Sequence, residues 1–156
     1  MPTVPLPPGP FPSSDVVRAL HMKQSTIGTW AERGMFDAFD HTGGVRGRMR
    51  MLTLRDALAC ALLWQKHMGG VDAPEFDAPA AHRFADMWLR TRDSSKPVRE
   101  VVLRYYGVPD RADSKVSILI NEDLLPNAPE PGARLTMHFD LDAIFEPLIA
   151  ALAEAT

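Results

Sequence analysis

The sequence predicts an α+β chain, and three observations carry that expectation. Apolar residues recur at helical spacing early on, at Val16, Val17 and Leu20 and again at Ile27, Trp30 and Ala31, so each set forms one buried stripe. Near the other end Leu135, Met137, Phe139 and Leu141 alternate with Arg134, Thr136, His138 and Asp140, the period of a half-buried strand. Glycine pairs at 43–44 and 69–70 separate the segments as turns and stops.

The elements follow in order. Residues 1–12 hold six prolines and no Lys or Arg, which reads as a flexible, extended arm. Ser13, Ser14 and Asp15 start a first helix of about two turns, with a Ser cap and an acid in the first turn. His21 and Met22 break it, and a second helix covers Gln24 to Arg33, ended by Gly34. Two short strands around Gly43 and Gly44 make a hairpin; in the second, Arg46, Arg48 and Arg50 share one face and Val45, Met49 and Met51 the other. Thr53 to Asp56 resembles a capping box with Asp in place of Glu. The helix behind it, with Leu54, Ala57, Leu58, Ala61 and Leu62 on its main stripe, runs to Met68. Leu63 and Trp64 add a second apolar side, which predicts a helix covered by two layers.

Asp77 caps a further helix carrying Ala81, Phe84, Ala85, Trp88 and Leu89 on one side. Strands are expected near 98–106, 116–120 and 134–141, and a closing helix takes Leu141, Ile144, Phe145, Leu148, Ile149 and Leu152 as its stripe. Pro147 inside that stripe is expected to kink the helix or mark its first turn. Asp140 and Asp142 fit capping roles at the strand-to-helix junction.

Composition narrows the function classes. The chain has 156 residues, 46% apolar and 24% charged, the make-up of a globular domain. The lone Cys60 excludes an internal disulfide, and among Ala59, Ala61 and Leu62 it reads as an inert buried thiol. No run reaches the roughly 20 apolar residues of a membrane span, and the start lacks the charged and apolar regions of a signal peptide. The expectation is a cytoplasmic protein. The net charge is −3, but residues 13–68 hold eight Lys/Arg against five Asp/Glu and the rest nine against fifteen. A basic half joined to an acidic half permits contact with phosphates. The five histidines show no metal-ligand spacing, and no nucleophile elbow, phosphate loop or dinucleotide motif occurs. No catalysis, metal or cofactor is assigned.

Residues 15–36, DVVRALHMKQSTIGTWAERGMF, resemble the MerR-type winged helix-turn-helix DNA-binding domain. Thr26, Ile27, Trp30, Gly34, Met35 and Phe36 match that pattern at its spacing, and residues 50–56, RMLTLRD, resemble the passage from wing to third helix. The resemblance covers residues 13–71. His21 stands at the family's turn glycine, Lys23 at its Ser cap, Gly28 at a DNA-contacting arginine and Leu52 at the wing tyrosine. The family's long dimerising helix and effector cysteines are missing.

The resemblance implies a recognition helix in the major groove and a wing on the backbone. The candidate DNA contacts are Gln24, Ser25, Thr26, Thr29 and Arg33 on the second helix and Arg46, Arg48 and Arg50 on the wing. Gln and Arg suit bidentate contacts to adenine and guanine, and an arginine row suits phosphates. The organisation expected is an arm over 1–12, a DNA-binding domain over 13–71, and a C-terminal unit over 72–156 for dimerisation or effector binding. The function expected is sequence-specific binding of double-stranded DNA by a nucleoid-associated transcription regulator. It would act as a homodimer, with RNA polymerase or another regulator as a further partner. The closing helix and third strand are the candidate dimer contact. Two other classes stay open: an architectural DNA-binder such as an excisionase or packaging subunit, and an interaction or sensing module that has lost DNA binding.

Overall fold

A fully buried phenylalanine, Phe11, starts the first regular element of a computed structural model that describes residues 4–35, 50–69, 77–106, 115–121 and 135–155. Strand β1 (Phe11–Pro12) runs antiparallel to β2 (Met51–Leu52), Phe11 opposite Leu52 and Pro12 opposite Met51. Proline fits there because a two-residue edge strand asks little of its missing N–H. The next amide, Ser13 N, donates to Arg50 O at 2.8 Å. Residues 4–10, expected to be a flexible arm, lie against the body: Pro7 is buried, and the Val4 carbonyl accepts from Arg92 at 2.7 Å. Their composition is that of a free arm, but Gly9 packs close to the ring of Phe11, and Arg92, just past the end of a distant helix, holds Val4.

Helix α1 (Ser13–Leu20) follows directly, and α2 (Gln24–Glu32) comes three residues later. The serine cap expected for α1 is absent, because Pro12 occupies the cap position without a side-chain bond and buried Ser13 is already inside the helix. Both helices end in the same way. After α1, His21 N donates to Arg18 O and Met22 N to Val17 O; after α2, Gly34 N donates to Ala31 O and Met35 N to Trp30 O. These are paired Schellman closures, which require a left-handed residue: His21 at φ 54° in the first and Gly34 at φ 70° in the second.

Helix α3 (Leu54–Met68) is the centre of the molecule, packed on α1, on α4 (Ala78–Thr91) and on α5 (Leu141–Ala155). Its two-sided burial, with residues 56–63 all inside, is the covering by two layers that its sequence calls for. Thr53 Oγ1 accepts from Asp56 N and Asp77 Oδ1 from Ala80 N, each at 3.1 Å, so both expected caps form. The antiparallel sheet has the order β4-β3-β5, built from β3 (Glu100–Tyr106), β4 (Lys115–Ile120) and β5 (Leu135–Asp140). Val101 and Leu103 pair with Phe139 and Met137, and this face joins the core. Asp140 Oδ1 caps α5 by accepting from Ala143 N at 3.0 Å.

The buried stripe of α5, Leu141, Phe145, Leu148, Ile149 and Leu152, lies inside the chain, and α5 runs through Pro147 without interruption. The stripe and the buried residues of β5, proposed from sequence as a dimer contact, therefore serve the chain's own core. One hydrophobic cluster contains Phe11, Ile27, Leu58, Trp88, Phe139 and Phe145 together, so residues 13–71 and 72–156 share their interior. Arg92 adds a polar clamp, bonding both carboxylate oxygens of Glu146 (3.2 and 3.0 Å) beside Trp88, whose Nε1 donates to Asp142 at 2.8 Å. Among the described residues no helix is long and apolar enough to cross a membrane.

Candidate nucleic-acid interface

Helix α2 buries three residues, Ile27, Trp30 and Ala31. At about 100° per residue, the opposite side carries two parallel rows of spacing four. One row is Gln24, Gly28 and Glu32; the other is Ser25, Thr29 and Arg33. Ser25, Thr29 and Arg33 are all exposed, and Thr26 is half-buried on the far flank.

The first row is occupied by the protein itself. Gln24 Nε2 donates to Ser13 Oγ at 3.1 Å, Arg50 Nη1 donates to Gly28 O at 3.2 Å, and Arg50 Nη2 lies 4.0 Å from Glu32. Arg50 is thus turned onto α2 instead of outward with a row of arginines, and it does not pair with Asp56. A Cβ on Gly28 would stand 3.3 Å from Arg50 Nη1, so the absence of a side chain makes room for the guanidinium. Gln24 has committed one amide hydrogen to Ser13, which competes with a two-point contact to adenine.

The second row is open. Thr29 Oγ1 donates to Ser25 O at 2.9 Å. With its proton so placed, the hydroxyl offers its lone pairs outward and acts as an acceptor. Arg33 lines an open groove of about 420 Å³ with Arg55, Asp77, Pro79 and His82, at the far end of the helix. Charge along α2 is graded: Lys23 precedes it and no side chain caps its N-terminus, whereas exposed Glu32 lies at its last turn. The helix dipole adds positive potential at the N-terminal end, so an anionic partner is favoured there. Arg18 on α1 is exposed and stands 3.7 Å from Asp15. Arg46, Arg48 and the Gly43–Gly44 turn lie outside the described residues.

Behind α2, His67 of α3 stacks on Trp64 at 5.3 Å and meets Trp30 edge-on at 6.5 Å. Trp30 is a packing residue, as its spacing with Ile27 suggests. Deeper still, Asp56 is fully buried and its Oδ1 lies 2.8 Å from His82 Nε2. His82 Nδ1 is 2.7 Å from the Ala78 carbonyl, which can only accept, so Nδ1 is the donor there. The pair joins α3 to α4 through a buried hydrogen bond that sequence reasoning missed. Histidine and aspartate 26 residues apart leave no local signal. Burial, and secondarily the Asp56 carboxylate, raises the Cys60 thiol well above its ordinary pKa, so it stays protonated and inert.

No protein-family model matches the sequence, and a search of curated proteins returns no relative.

Proposed function

We propose that the chain binds double-stranded DNA by laying α2 in the major groove as the recognition helix of a winged helix-turn-helix. Ser25 and Thr29 face the base edges, Arg33 lies at the distal end, and Arg46 and Arg48 of the intervening segment contact the backbone. The observation that carries the reading is the second row of α2. A nine-residue helix, set on α1 by a tight left-handed turn, keeps a continuous polar row clear of the core with its positive end uncapped. Helices enter the major groove with their N-terminal residues nearest the bases. An acceptor-only Thr29 suits the exocyclic amino groups of adenine or cytosine. Control of transcription by a two-fold dimer reading paired half-sites accompanies this reading, with the dimer contact outside the α5 stripe.

Selection from a randomised duplex pool tests it. The full-length protein is expected to retain a subset of duplexes at about 50 mM salt, with log K falling linearly against log salt as counterions are released. Failure to enrich or retain any duplex at that salt would overturn the proposal.

A further inference from the structure

We infer that Arg50 is the positioning residue of α2, and that the Gln24–Gly28–Glu32 row is the seam by which the helix is set at its working angle. The inference rests on the DNA-binding reading for its consequence and on geometry for its substance. Three buried side chains on a short helix fix how close α2 lies to the core. Together they turn one face of α2 inward, and the fine setting of that face is left to contacts on the flanks. Rotation is fixed from the flank. Ser13 and Arg50 are joined to each other through Ser13 N and Arg50 O at 2.8 Å, at the end of the β1–β2 ladder. From that single point one bond reaches Gln24 and two contacts reach Gly28 and Glu32, one helical turn apart in each case. Through these contacts Arg50, the residue before β2, ties the angle of the Ser25–Thr29–Arg33 row to the position of the β1–β2 ladder. Gly28 belongs to the same device, since a methyl group there would press on the guanidinium.

The alternative role for Arg50 is a phosphate ligand, and the two roles separate cleanly. A phosphate ligand contributes about one released counterion to the salt slope and acts equally on all sequences. A strut contributes none and acts on the match between the outward row and the bases. Arg50→Gln in the full-length protein is therefore expected to weaken binding to the selected duplex about tenfold and to random duplex much less, with the salt slope unchanged. A slope lowered by about one, with equal losses on both duplexes, would overturn the inference.

The second arm needs no DNA, so it decides the strut even if the chain binds no duplex. Gly28→Ala favours a helix interior by roughly fivefold in the folding constant. In the wild-type background that gain is expected to be offset by displacement of Arg50; in the Arg50→Gln background it should return in full. Urea unfolding of the two single variants and the double variant gives the coupling. A Gly28→Ala effect equal in both backgrounds would show that Arg50 does not bear on α2.

Discussion

Helices α5 and α2 are both amphipathic, and the fold uses them in opposite ways. Helix α5 lays five large apolar side chains into a core it shares with α1 and α3, and a bidentate Arg92–Glu146 pair fastens its flank. Helix α2 buries three residues, one of them alanine, and its flank is set by one polar contact to Ser13 and two to Arg50. The first helix is interior structure whose outward face is incidental. The second is a presented element, whose outward row is free because little of the helix is needed inside.

That contrast can be broken at α5 with the largest effect. Phe145 is fully buried and meets Trp88 edge-on at 5.1 Å. Phe145→Ala is expected to cost about 3–5 kcal/mol, read by urea unfolding. A loss below roughly 1 kcal/mol would mean that α5 is dispensable to the core and that the two helices do not differ as described.

A smaller test sharpens the account at the two ends of the α1–turn–α2 pair. Both Schellman closures need a left-handed residue, and nothing lies within 4 Å of a Cβ added at Gly34. Gly34→Ala should therefore destabilise by about 1 kcal/mol through backbone strain alone. His21 is exposed and already carries that strain at φ 54°. His21→Gly should stabilise by roughly 0.5–1 kcal/mol, the relief of strain exceeding the added freedom of the unfolded chain. Shifts of the same sign in thermal unfolding would refute the shared geometry.

Much of this architecture is legible in the sequence because it is written locally. Thr53 and Asp77 mark helix starts by side chains that reach three residues on, and the alternation of 136–141 places Met137 and Phe139 inside against exposed Thr136 and His138. The departure at His21 was visible as well; what the sequence could not show is that a histidine takes up the glycine's backbone conformation. The rest depends on partners distant along the chain. Strand β1 pairs with residues some forty positions later, and no periodicity in Phe11–Pro12 signals it. Arg50 belongs by alternation to a row with Arg46 and Arg48, yet the nearby carbonyl of Gly28 and the Glu32 carboxylate give it a place on α2. Of the eight residues expected to touch DNA, Ser25, Thr29 and Arg33 form one open row. Gln24 and Arg50 serve the setting of the helix, Thr26 lies on its flank, and Arg46 and Arg48 fall outside the described residues.

The Ser25–Thr29–Arg33 row is proposed to face DNA, and one substitution at its middle, Thr29, reads that contact out alone. Thr29 is exposed and bonds only within its own helix turn, so Thr29→Glu should leave stability within about 0.5 kcal/mol of the wild type. A carboxylate there, longer than the hydroxyl and set among phosphates, should cost about 1.4 kcal/mol or more in affinity. Fluorescence anisotropy of the selected duplex, titrated with wild-type and Thr29→Glu protein of equal unfolding midpoint, is predicted to show at least a tenfold loss. Unchanged affinity in the folded variant would place the DNA contact elsewhere on the molecule and contradict the account.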